Sequence, residues 1–200
     1  MKTKRVAIAP LLFAVLVATG YGTLGKLEKT GAGPRTIADY DRVIVADFGV
    51  NDTRPAKDAE QAAERAANIE AGRKAFSAAV AEEIRATGAF AEVAQAKMMA
   101  PALQVTGTVD LWEPGNVAAR SLVGFVGKSE FSATVIFSDL ETGAELGRVV
   151  SDRNSWPLPI GASTNVVQSV DFLMKQAAKR VAAELAKAKG VDVAESSGSD

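Results

Sequence analysis

The chain contains neither cysteine nor histidine in its 200 residues. Without them, Cys–His and Ser–His–Asp nucleophile arrangements are excluded, as are zinc sites built on thiolate or imidazole. The remaining chemistry is carboxylate, lysine, tyrosine or Ser–Lys chemistry, and oxygen-ligand metals. Lack of thiols is compatible with an oxidising compartment but gives no disulfide evidence for one. Charge of one sign is also lacking, with 23 basic against 24 acidic side chains. Three of the basic residues, Lys2, Lys4 and Arg5, lie in the first twenty positions, which carry no acid, so the rest of the chain is weakly acidic. A weakly acidic body has little electrostatic reason to grip nucleic acid, where affinity comes from neutralising phosphates. No apolar run is long enough to span a bilayer: Val6 to Ala18 covers 13 residues, against the roughly 20 that a helix needs.

What the first residues do have is the three-part pattern of a secretory signal. A cationic start is followed by that apolar run and then by Ala18 and Gly20 at the small-residue spacing that signal peptidase reads. The expectation is a signal peptide over 1–20, cleaved after Gly20, with Gly22 the other plausible position. An uncleaved anchor or a buried first strand is the alternative. No cysteine stands at the junction, so no lipid anchor is expected.

The remainder divides into a leader (21–39), a single domain (40–190) and a polar tail (191–200) expected to be disordered. "YDRVIVADF" (40–48) has the β-branched content of a strand. From Asp58 to Thr87 the period is helical, with Ile69, Phe76, Val80 and Ile84 as the apolar stripe and Gly88 at the stop. "FAEVA" (90–94) reads as a short strand. "ALQVTGTVDLW" (102–112) alternates strictly, placing Leu103, Val105, Gly107, Val109 and Leu111 on one face. "EFSATVIFSD" (130–139) puts Phe131, Ala133, Val135 and Phe137 on one face; "ETGAE" makes a hairpin turn, and 146–153 returns antiparallel. A second helix is expected over 163–189, with Val166, Val170, Leu173, Ala177, Val181 and Leu185 as its stripe and Gly190 ending it. The order β-α-β-β-β-β-α predicts an α+β two-layer sandwich, in which two long helices cover one face of a mixed, mostly antiparallel five-stranded sheet.

"GFVGKS" (124–129) imitates the end of a phosphate-binding loop but fails its requirements. Counting back from Gly127, the first glycine should be residue 122, which is Leu122, and the following segment reads as a strand instead of a helix. No nucleotide is expected; the glycines read as a tight turn between strands. Asp47, Asp110, Asp139 and Asp152 lie at or near strand ends, where turn chemistry is the ordinary reading and a catalytic pair the alternative. "NDT" (51–53) lacks the acidic spacing of a calcium loop. No metal or other cofactor is expected.

Two long connections carry the candidate surface. Residues 113–128 hold Asn116, Arg120, Phe125 and Lys128, and "NSWPLPIGAS" (154–163) holds Trp156. Arginine beside aromatics suits a protein contact, although Leu122, Val123 and Phe125 could equally tuck onto the core. These residues carry a resemblance. Gly115, Asn116, Arg120, Gly124, Phe125 and Gly127, followed by Asp139, Thr142, Gly143 and Leu146, resemble a domain-of-unknown-function family of bacterial cell-envelope proteins, many of them lipoprotein-like. The resemblance implies an exported, periplasmic or outer-membrane-associated accessory domain that binds another envelope protein or a cell-wall component, without catalysis. A small-ligand or lipid carrier and a carboxylate-dependent hydrolase are the alternatives.

Overall fold

The computed structural model describes residues 25–30, 34–115, 129–154 and 169–192, with the side chains of 153 and 154 excepted. Among these residues one mixed sheet contains seven strands: β1 (Glu28–Lys29), β2 (Arg42–Val45), β3 (Gly49–Val50), β4 (Glu92–Ala94), β5 (Leu103–Glu113), β6 (Glu130–Asp139) and β7 (Glu145–Asn154). Helix α1 (Ala59–Ala86) and helix α2 (Val170–Lys189) complete the two layers. The sheet order is β1-β7-β6-β5-β2-β4, with β3 also lying against β5. Strands β5, β6 and β7 form the expected antiparallel meander, and β2, β3 and β4 join it in parallel.

The two strands beyond the expected five have local causes. The strand expected over 40–48 is confined to β2, and a second short strand, β3, follows it at Gly49–Val50; both run along β5. The break lies where Phe48 turns into the core, 1% exposed. Ala46 and Asn51 still donate to Val105 O and Val109 O at 2.9 and 3.0 Å, so the ladder resumes beyond it. Room for the ring comes from Gly107: a Cβ there would sit 3.0 Å from Phe48 Cε1 and 1.9 Å from Thr134 O. The leader also joins the fold, through β1 on the edge of β7 and through a single 3-10 turn (Ile37–Asp39) that buries Ile37.

One face of β5 changes sides. The strict alternation places Leu111 inward, but the register slips between Val109 and Leu111. This β-bulge brings Trp112 inward in its place, 8% exposed, and leaves Leu111 half-buried. Asp110 at the bulge accepts from Thr108 Oγ1 (2.7 Å), Thr134 Oγ1 (3.0 Å) and Asn51 Nδ2 (3.1 Å). The extra residue is thus pinned by its own carboxylate.

The helices follow their stripes. Asp58 caps α1 by accepting from Gln61 N at 2.8 Å, and Ile69, Phe76, Val80 and Ile84 are all buried. In α2 the described helix begins at Val170, where Ser169 is its N-cap and accepts from Phe172 N. Val170, Leu173, Ala177, Val181 and Leu185 are buried. Val166 and the rest of 163–168 lie outside the described residues, as do 1–24 and 193–200. Gly190 ends α2 with φ +87°, the left-handed stop that glycine tolerates. Helix α1 packs on β2, β3, β4 and β5, α2 on β6 and β7, and the two helices on each other. A chain of edge-to-face rings, Phe48–Phe76 and Phe76–Phe131 at 5.0 Å and Phe131–Trp112 at 5.8 Å, joins α1 to the sheet.

Both helices run in the same direction. The chain after α1 returns to Asp41, whose carbonyl accepts from Ala91 N at 2.8 Å. At the end of α2, Lys189 Nζ donates to Tyr40 O (2.7 Å), Ala38 O (2.9 Å) and the Asp41 carboxylate (2.8 Å). The molecule therefore has an end near Asp41 and Asp139 and an opposite end near Glu113. No helix among the described residues is long and apolar enough to cross a membrane.

Candidate functional site

At the Glu113 end, the register brings Glu113, Glu130 and Asn154 side by side on three neighbouring strands. The first turns of α1 lie against this end, where Gln61, Glu64, Arg65 and Asn68 share a hollow of about 170 Å³ with Trp112, Glu113, Pro114 and Gly115. On the other side of Arg65 is a groove of about 380 Å³. Its apolar lining is Val50, Ala56, Ala62, Ala66 and Ile69, and its charged lining is Asp52, Arg54, Arg65 and Glu70. Val50 is 44% exposed there, a large apolar side chain left partly open to water.

The turn between β3 and α1 owes its shape to one buried carboxylate. Asp52 accepts from Arg54 through the backbone N–H (3.1 Å), Nε (2.9 Å) and Nη2 (2.7 Å). Arg65 approaches it to 3.9 Å from α1 and donates Nη1 to the carbonyls of Arg54 (3.1 Å) and Pro55 (3.3 Å). Arg54 also reaches Glu113 Oε2 at 3.4 Å, tying the turn to the end of β5. The Arg54 side chain holds the Asp52 carboxyl below its ordinary value, against the opposing effect of burial. Asp52 in turn raises the Arg54 guanidinium. A carboxylate so committed stays ionised at neutral pH, so it positions the turn and takes up no proton there. The result is a pre-shaped groove with an apolar floor and a mixed-charge rim.

The opposite end is a clamp. Asp139 is 5% exposed and accepts from Tyr40 Oη (2.5 Å), Glu141 N (2.8 Å), Thr142 N (2.9 Å) and Arg35 Nη1 (3.2 Å). Tyr40's hydrogen bond, then the backbone N–H of Thr142, hold its carboxyl far below the ordinary range. Burial, and then Asp139 itself, push the Tyr40 phenol up to about 12. These contacts shape the β6–β7 hairpin and fasten the leader to it, which is the turn role expected of Asp139.

Of the strand-end carboxylates, Asp152 pairs with Ser132 beside the bulge and so stands across β6 from Asp110, about 10 Å away at about 4.8 Å per strand, whereas Asp110 and Asp139 lie far apart. Asp47 and Asp152 are exposed. Asp139 pairs with Leu103, whereas Asp110 lies seven residues further along β5, about 23 Å away at 3.3 Å per residue. The surface residues expected from sequence, Asn116, Arg120, Phe125, Lys128 and Trp156, lie outside the described residues, as does the cleavage position after Gly20. The described residues flanking them, Gly115, Ser129 and Asn154, are all at the Glu113 end. The Asp52–Arg54–Arg65 network has no signature in the sequence: no periodicity announces that Arg65 reaches back across the turn to Asp52 and Arg54. Among the described residues no cluster of carboxylates could hold a metal ion.

Several solved structures are similar to this chain. A single-substitution PelC dodecamer from Paraburkholderia phytofirmans shares 20% identity over 78% of this chain and 96% of its own, with a TM-score of 0.45. Protein XCC0632 from Xanthomonas campestris, of family DUF330, shares 15% identity over 77% and 86%, at 0.42. A homolog of a neuraminyllactose-binding hemagglutinin from Helicobacter pylori shares 14% over 81% and 90%, at 0.40. No curated protein matches the sequence. Residues 43–158, from β2 to just past β7, match the family described as Domain of unknown function (DUF4410). The chain belongs to that family.

Proposed function

We propose that this chain is an exported, non-catalytic domain of the cell envelope that binds another envelope protein or a cell-wall component through its Glu113 end. The observation that carries the reading is the convergence at that end. The ends of β5 and β7, the start of β6, the first turns of α1 and the 380 Å³ groove all meet there. Segments carrying Arg120, Phe125 and Trp156 depart from these same strand ends. The groove combines an apolar floor with a charged rim, the anatomy of a protein-binding patch.

Export is tested by sequencing the N-terminus of the native protein from fractionated cells. A mature chain starting near Tyr21 in the periplasm agrees with the proposal; a full-length cytoplasmic chain contradicts it. Partner binding is tested by chemical cross-linking in intact cells. The expected adduct forms with the wild-type chain and is lost in the Arg120→Ala/Phe125→Ala variant, whose unfolding midpoint stays unchanged. Undiminished adduct in a variant of normal stability would remove those two residues from the surface.

A further inference from the structure

We draw no further inference here: the strongest candidate, the exposed alanine stripe of Ala59, Ala63, Ala67, Ala71, Ala75 and Ala78 along the solvent face of α1, has no second observation beside it, and nothing in the structure shows what covers it.

Discussion

Replacing Gly72 with alanine sets two effects of opposite sign against each other at the contact between α1 and the sheet. In an exposed helix interior the change stabilises by about 1 kcal/mol, since alanine is the better helix former. Gly72 is instead buried, and a Cβ there would lie 2.4 Å from Trp112 Cε3, 2.5 Å from Cδ2 and 2.9 Å from Cζ3. Ordinary carbon contacts are about 3.5–4.0 Å, so ring or helix must move by about 1 Å. The ring has little freedom to do so, being 8% exposed and seated edge-to-face on Phe131. Overpacking of this kind costs about 1–3 kcal/mol. The net expectation for Gly72→Ala is a loss of about 1 kcal/mol, or about 2–4 °C in Tm for a chain of this size.

Urea unfolding with a shared m-value reads this difference directly. A second background makes the reasoning refutable. In Trp112→Leu, which itself costs about 2–3 kcal/mol, the obstructing ring is gone and Gly72→Ala should stabilise by about 1 kcal/mol. The sign should therefore reverse, with a coupling of about 2 kcal/mol, within the range for residues in contact. Stabilisation by Gly72→Ala in the wild-type background, or an equal effect in both, would refute the close approach of α1 to Trp112.

Acid stability is governed in part by Asp139. Its carboxyl is depressed in the fold, so its contribution is full above the unfolded value of about 3.9 and drains away as pH falls below about 4. Asp139→Asn should flatten that acid limb in a pH series of urea midpoints, and an unchanged limb would contradict the assignment. Tyr40→Phe should cost about 1.5–3 kcal/mol at pH 7, the usual worth of a hydrogen bond to a charged group. Its phenol is raised to about 12, so the wild-type contribution holds below pH 10 and is lost between about 10 and 12, a loss the variant should not show. Gly107→Ala should be more damaging than Gly72→Ala, because its Cβ would meet the Thr134 carbonyl, backbone that cannot swing aside; equal midpoints for the two variants would contradict this. Arg54→Ala leaves the Asp52 carboxylate with only the more distant Arg65, and should lower stability by about 1.5–3 kcal/mol, more than the paired Asp52→Asn/Arg54→Met change.

Much of the fold was legible because its periodic segments bury one face each. The α1 stripe from Ile69 to Ile84, the inward row Phe131 to Phe137 and the Asp139 hairpin needed no tertiary information. What escaped were the points where a single residue departs from the period. Asp110 inserts into β5 and exchanges Leu111 for Trp112, and its reason lies in hydroxyls from Thr108 and Thr134 that only the register brings together. Phe48 breaks its strand because Gly107, nearly sixty residues away, leaves space for it. The groove was illegible for a similar cause: ion pairs such as Asp52–Arg54 with Arg65 obey no repeat, so their partners emerge only once α1 is packed.

Site-specific photo-cross-linking in intact cells reads out whether the Glu113 end meets the partner. A photoreactive side chain at Ala62, exposed beside the groove, is compared with one at Glu82, exposed on the same helix about 30 Å away at 1.5 Å per residue. One discrete adduct is expected from Ala62, reduced by Arg120→Ala/Phe125→Ala, and none from Glu82. An adduct from Glu82 and not from Ala62 would contradict that expectation and place the binding surface elsewhere on the molecule.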